Sequence, residues 1–267
     1  MDVRGYDMGP IDAKGAFTSE IDVPPQVTPG LLTTVVEADR PACVERPGMR
    51  HKYLPLWHDP ATGAISAGGR YLFRTYEEAT AFRDFLEAKV FPGESTTFWN
   101  RPWFLKTVRY AWRVAGAHDL APITTHDLTR FERYAAPDAA VEARLPELFA
   151  GLRDRAGRLG LAHVSLMYQP EQRLIGVVTA ASHEGRRPDG EAVLRHATEA
   201  LPLRGSVGDA ALERLGVRKV FDRTSVSLTI WLPLSEQAGG VPAIWPNSPP
   251  IPLPGVEQLP PVESKVA

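Results

Sequence analysis

Apolar residues recur along this chain with two periods, and the places where the period changes mark its elements. Leu31 to Glu37 (LLTTVVE) is rich in β-branched residues and predicts a first strand. Arg50 to Trp57 and Ala64 to Phe73 read as strands separated by His58-Asp59-Pro60-Ala61-Thr62-Gly63, a run of turn chemistry, and so predict a hairpin. Thr75 then opens a helix. Glu78 completes a capping box, and Ala79, Phe82, Phe85, Leu86 and Val90 share one face until Pro92-Gly93 ends it. The next stretch, Thr97 to Trp112, is broken by Pro102 and suits an edge strand or a bulge. Residues 115–125 read as the connection between halves.

From His126 the pattern sharpens. Leu128 to Tyr134 predicts a strand, and Pro137-Asp138 starts a helix that aligns Val141, Leu145, Leu148, Phe149, Leu152, Ala156 and Leu159, with Gly160 just past its end. Leu161 to Tyr168 and Arg173 to Ser182 form a second hairpin around Gln169-Pro170-Glu171-Gln172. Helices at 190–200 and 209–215 and an alternating strand at 224–232 complete a β-α-β-β-α-β order, that of the ferredoxin-like split unit. The first half fits a looser version of the same plan. The expected fold class is therefore α+β, two ferredoxin-like (βαββαβ-type) halves forming an α+β barrel within one chain or with a second copy. The expected organisation is an N-terminal arm at 1–30, halves at 31–116 and 117–235, and a Pro-rich tail at 236–267.

Composition narrows the partners. A formal net charge of −2 argues against a polyanion such as nucleic acid. No apolar run is long enough to span a bilayer and the first residues lack a signal-peptide core, so the expected location is cytoplasmic. One cysteine, Cys43, excludes an internal disulfide framework, and its neighbours carry no nucleophile motif.

The candidate chemistry centres on TFWNRPWFLKTVRYAW, residues 97–112, which hold three of the six tryptophans together with Phe98, Phe104 and Tyr110. A group of rings this dense either packs a core or walls a pocket for a flat ligand. Trp99, Trp103, Phe104 and Trp112, with Tyr71 from the preceding hairpin, are the expected substrate walls. Arg101 and Arg109 either face solvent or hold an oxyanion of the ligand. His51, His126 and His163 are candidates to move a proton, each with the alternative of a satisfied core or rim histidine. His118-Asp119 and His126-Asp127 could suggest a metal, but neighbours on an extended chain point to opposite sides, so a site would need one member of each pair and ligands from elsewhere. No metal is expected. No dinucleotide fingerprint, phosphate-binding loop or nucleophile elbow occurs.

The stretch GGRYLFRTYEEATAFRDFLE, residues 68–87, resembles the dimeric α+β barrel monooxygenases, in which a Gly-Gly, aromatic–aliphatic strand precedes a helix starting at Thr-x-x-Glu. The chain length, the FWNRPWF run and the tandem halves with a long tail resemble, more narrowly, the angucycline ring-opening oxygenases of the jadomycin, gilvocarcin and kinamycin pathways. That resemblance implies oxidative cleavage of a carbon–carbon bond in a polycyclic phenol or quinone. It also implies dioxygen and a reduced flavin (FADH2 or FMNH2) supplied in solution by a separate flavin reductase, and a possible homodimer. Two other readings remain at this point: a cofactor-free anthrone-type monooxygenase or polyketide cyclase of the same fold, and a non-catalytic protein that binds aromatic metabolites.

Overall fold

A computed structural model describes residues 8–28, 31, 32, 35, 38, 39, 43, 46–58, 64–91, 93–121, 128–181 and 206–231. The Pro-rich tail, the expected helix at 190–200 and the 122–127 segment containing His126 lie outside the described residues.

Among the described residues, nine strands form one antiparallel sheet: β1 (Gly9–Pro10), β2 (Gly15–Val23), β3 (Met49–His58), β4 (Ile65–Phe73), β5 (Lys106–Asp119), β6 (Leu128–Ala135), β7 (His163–Gln169), β8 (Leu174–Ala181) and β9 (Arg218–Trp231). The order across it is β1-β5-β2-β4-β3-β9-β6-β8-β7, and β5 pairs with β7 as well. That last pairing, running from Arg113↔Tyr168 to Asp119↔His163, returns the ladder to its start. Within it, β5-β2-β4-β3 and β9-β6-β8-β7 repeat one arrangement position for position.

Closure gives the sheet two unlike faces. The inner face gathers Ala16, Tyr53, Leu72, Trp112, Phe131, Met167 and Val178 from strands all round the circuit into one apolar cluster. The outer face carries helix α1 (Tyr76–Ala88) over β2, β4 and β5, and helix α2 (Leu145–Arg158) over β5 and β7. Short helix α3 (Asp209–Leu212) completes the α2 side. Thr75 accepts from the Glu78 backbone N–H at 3.1 Å while Glu78 accepts from the Thr75 N–H at 3.0 Å, so the expected capping box is present. Gly160, with φ +69°, follows α2 in the left-handed conformation that favours glycine.

Three sequence expectations are corrected. Residues 15–23, read as part of an extended arm, are strand β2, paired on both sides by β4 and β5. Its residues are nearly all buried, polar ones included, because one face meets α1 and the other the closed interior. Inside, Thr18 accepts from Trp112 and Glu20 pairs with Arg70 and Arg223. Leu31, Leu32 and Val35, read as a strand, are helical, as are Ala38, Asp39 and Cys43. Thr28 caps this turn by accepting from the Leu31 N–H at 3.2 Å, and burial of Leu31, Leu32, Val35 and Cys43 against the sheet outweighs their β propensity. The 97–112 stretch is no single strand: Phe98–Asn100 forms a 3-10 turn and β5 begins only at Lys106, running through 115–119 where a connection was expected.

Among the described residues, no helix is long and apolar enough to cross a membrane.

Candidate functional site

The aromatic stretch folds back over the outer face of the first four-stranded segment and walls a cavity of about 80 Å³. Its floor is the sheet. Ser19 and Ile21 alternate on β2, Lys52 and Leu54 on β3, and Ala67 and Tyr71 on β4, so all six side chains face one way. Its roof is Leu32, Val35, Asp39 and Cys43, with Leu86 of α1, and its end wall is Phe98, Trp99, Trp103 and Phe104. Those rings brace one another edge to face: Phe98 meets Trp99 at 4.6 Å and Trp103 meets Phe104 at 4.5 Å. The Gly68-Gly69 pair has a steric role. A Cβ at Gly68 would stand 2.0 Å from the Ser19 carbonyl oxygen, and one at Gly69 would stand 2.1 Å from the Tyr71 ring.

Four of the expected wall residues, Tyr71, Trp99, Trp103 and Phe104, therefore meet in one cavity. Trp112 does not. It points into the closed interior, fully buried, and its indole N–H donates to Thr18 Oγ1 at 2.8 Å. The arginines differ from the expectation that either would hold a ligand oxyanion. Arg101 lines the cavity, but its guanidinium forks onto Asp39 at 2.8 and 2.9 Å and its Nε–H bonds Glu94. Burial opposes its charge, yet the bonds to Asp39 and then Glu94 outweigh that and hold its pKa above the ordinary value. It stacks over Phe98 at 4.5 Å and ties the roof to the end wall. Arg109 lies behind the wall, paired with Glu87 at 2.9 Å and 4.9 Å over the Trp99 ring.

A second cation lining the cavity, beside Arg101, is Lys52, a residue sequence reasoning missed. It is 3% exposed, with Nζ 5.0 Å from the centre of the Tyr71 ring. The signal was available: Lys52 sits between His51 and Tyr53 on an alternating strand and so must face away from them. Burial raises the Tyr71 phenol well above its usual range and pushes the Cys43 thiol up, so both stay protonated at neutral pH.

His51 and His163 lie on the other side of the sheet. Neither touches the cavity; they meet inside the closed ladder with Asp119 and Tyr53. His163 Nδ1 is 2.7 Å from Asp119 Oδ1, both groups being buried. The His51 ring stands 5.7 Å from that of His163 and 4.6 Å from that of Tyr53. Burial pushes the His51 pKa down to about 4; Asp119 opposes this and His163 adds to it. His51 is therefore neutral at pH 7. The position in the interior removes both histidines from direct contact with a ligand in the aromatic cavity.

No family model and no curated protein sequence matches the chain. Solved structures similar to it include a candidate monooxygenase from Fusobacterium nucleatum, at 9% identity and a TM-score of 0.49 over 86% of this chain and 96% of that one. A candidate monooxygenase from Lactobacillus acidophilus matches at 11% identity and 0.49, over 82% and 96% of the two chains. An anthrone oxidase-like protein matches at 12% identity and 0.49, over 85% and 94%. Likenesses this distant say nothing about chemistry, which rests on the residues themselves.

Proposed function

We propose that the cavity walled by Trp99, Trp103, Phe104 and Tyr71 binds a planar phenol or quinone of the polycyclic polyketide kind, and that the chain acts on it as an oxygenase. One observation carries this reading: a buried ammonium group, Lys52, faces a cavity whose end wall is aromatic. Rings grip a flat ligand by its faces, and an ammonium in a low-dielectric site favours the phenolate or enolate over its protonated form. An electron-rich anion of this sort is what dioxygen chemistry needs. On this reading the two repeated strand arrangements are ferredoxin-like halves of an α+β barrel, and, as the sequence resemblance implies, reduced flavin arrives from a separate reductase in the cytoplasm. In that reaction one oxygen atom enters the substrate beside a ring carbonyl and the other leaves as water. The flavin hydroquinone supplies two electrons and two protons and becomes oxidised flavin. That insertion breaks the ring carbon–carbon bond and leaves a lactone, and one water hydrolyses the lactone to a hydroxy acid, which opens the ring.

The test is an anaerobic titration of purified protein with reduced flavin, followed by oxygen and a panel of polycyclic phenols, with products read by mass. A product formed only with flavin is the expected result, gaining one oxygen atom as the lactone or one oxygen atom and one water as the opened hydroxy acid. Product without flavin would move the reading to cofactor-free chemistry.

A second reading is favoured by one fact. Among the described residues lining the cavity there is no histidine, and the carboxylate present, Asp39, is held by Arg101. A non-catalytic binder needs only the walls and Lys52. Saturable binding with no turnover across the panel would select it.

A further inference from the structure

Three side chains inside the closed sheet have the chemistry of a metal site. His51 comes from β3, Asp119 from the end of β5 and His163 from the start of β7, and one donor atom from each lies within 4.8 Å of the others. None of the three is more than 3% exposed. Asp119 and His163 are register partners on adjacent strands, whereas β3 is separated from β5 by β2 and β4. His51 therefore reaches the pair across the interior from the opposite wall. His163 meets Asp119 through Nδ1, and its Nε2, in a fully buried ring, has no hydrogen-bond partner among the described residues.

We propose that His51, Asp119 and His163 bind a divalent transition-metal ion that ties β3 to the β5–β7 pair across the interior of the sheet. Two imidazole nitrogens and one carboxylate oxygen suit Zn2+, Co2+ or Fe2+; Ca2+ and Mg2+ take oxygen ligands. Metal–ligand bonds of about 2.0–2.2 Å place neighbouring donors roughly 3 Å apart, so the set closes on an ion through side-chain shifts of about 1 Å. The carboxylate offsets half of the dication's charge, which a cluster of neutral imidazoles alone would not. Because the donors are enclosed, the ion enters as the sheet closes during folding, and its binding adds to the stability of the folded state. The site is independent of the aromatic cavity, which lies on the opposite face, and it departs from the sequence expectation of no metal.

The experiment is refolding of tag-free, full-length protein from denaturant and chelator, with and without Zn2+ or Co2+, followed by dialysis and elemental analysis. About one ion per chain is expected, together with visible cobalt bands of a low-coordinate nitrogen–oxygen site and a higher thermal midpoint than the metal-free refolded protein. Asp119→Asn, His51→Gln and His163→Gln should each weaken binding about tenfold or more, while His118→Gln, on the other side of β5, should not. A wild-type chain that regains its far-ultraviolet circular dichroism and takes up no stoichiometric ion overturns the proposal. So does a cobalt complex that is unchanged in Asp119→Asn and His163→Gln. Should a variant not refold, the wild-type cobalt spectrum decides: a weak hydrated six-coordinate spectrum overturns the site, and a low-coordinate one supports it.

Discussion

His51 and Lys52 are consecutive on β3 and serve opposite sides of the sheet. Lys52 faces the aromatic cavity beneath Leu32, Val35, Asp39 and Cys43, while His51 faces Asp119 and His163 in the closed interior. The alternation of a strand thus divides two chemistries that the sequence places side by side, and each can be removed without touching the other.

Lys52 is expected to govern the charge preference of the cavity. Lys52→Met keeps much of the stem's length and removes the ammonium. An anionic phenol should lose affinity by about tenfold or more, since a hydrogen bond to a charged group is worth roughly 1.5–3 kcal/mol. A neutral quinone of the same shape should change far less. Quenching of tryptophan fluorescence across a pH series reads both affinities, and equal losses for the two ligands would remove Lys52 from the site.

The two arginines of the aromatic stretch should differ sharply in their cost to stability. Arg101 is 2% exposed and joins Asp39 to Glu94, so Arg101→Ala leaves two carboxylates largely buried without their partner. A loss of about 3–5 kcal/mol is expected. Arg109 is half-exposed beside Glu87, and Arg109→Ala should cost about 1 kcal/mol or less. Denaturant unfolding of both variants checks the contrast; similar losses would contradict the roles assigned to them.

Gly116 sits beyond the bulge between Val114 and Gly116 of β5, where a Cβ would stand 2.2 Å from the Phe149 ring of α2. Gly116→Val should push α2 off the sheet and cost on the order of 1–3 kcal/mol, the usual range for overpacking. Gly151, on α2 with no atom within 4 Å of an added Cβ, is the control, and Gly151→Ala should be neutral or stabilising. Thermal midpoints of the two variants make the comparison.

Acid should loosen the pairing of β6 with β9 through Asp222. Burial works to raise its pKa, but Arg130, at 2.5 and 2.7 Å, and Lys219, at 3.1 Å, outweigh burial and hold the carboxyl below its ordinary value. A folded-state pKa below the unfolded one means that the stabilisation is complete above the unfolded value of about 3.9 and is lost as pH falls through the folded value. Asp209, lowered by Lys219 and Tyr134 against its own burial, acts in the same direction. Asp222→Asn should lower stability at pH 7 and flatten its decline below about pH 4. Urea midpoints at pH 3 to 7 test this, and an unchanged slope in the variant would contradict it.

What the sequence determined by itself is local. Thr75 and Glu78 announce a helix start because the capping box closes within four residues. The hairpin of β3 and β4, the hairpin of β7 and β8, and the apolar stripe of α2 are legible for the same reason: each is set by neighbours a few residues away. The grouping of Trp99, Trp103 and Phe104 is legible too, since all three lie within residues 99–104. Tertiary structure decided the rest. β2 hides because a strand buried on both faces loses alternation, and its Thr18 and Glu20 are satisfied by Trp112, Arg70 and Arg223, far along the chain. The β5–β7 pairing that closes the sheet joins segments some fifty residues apart and leaves no local mark. That closure turns Trp112 inward, brings His51 to Asp119 and His163, and turns Lys52 toward the cavity, because which face of a strand becomes interior depends on the partners that complete the circuit.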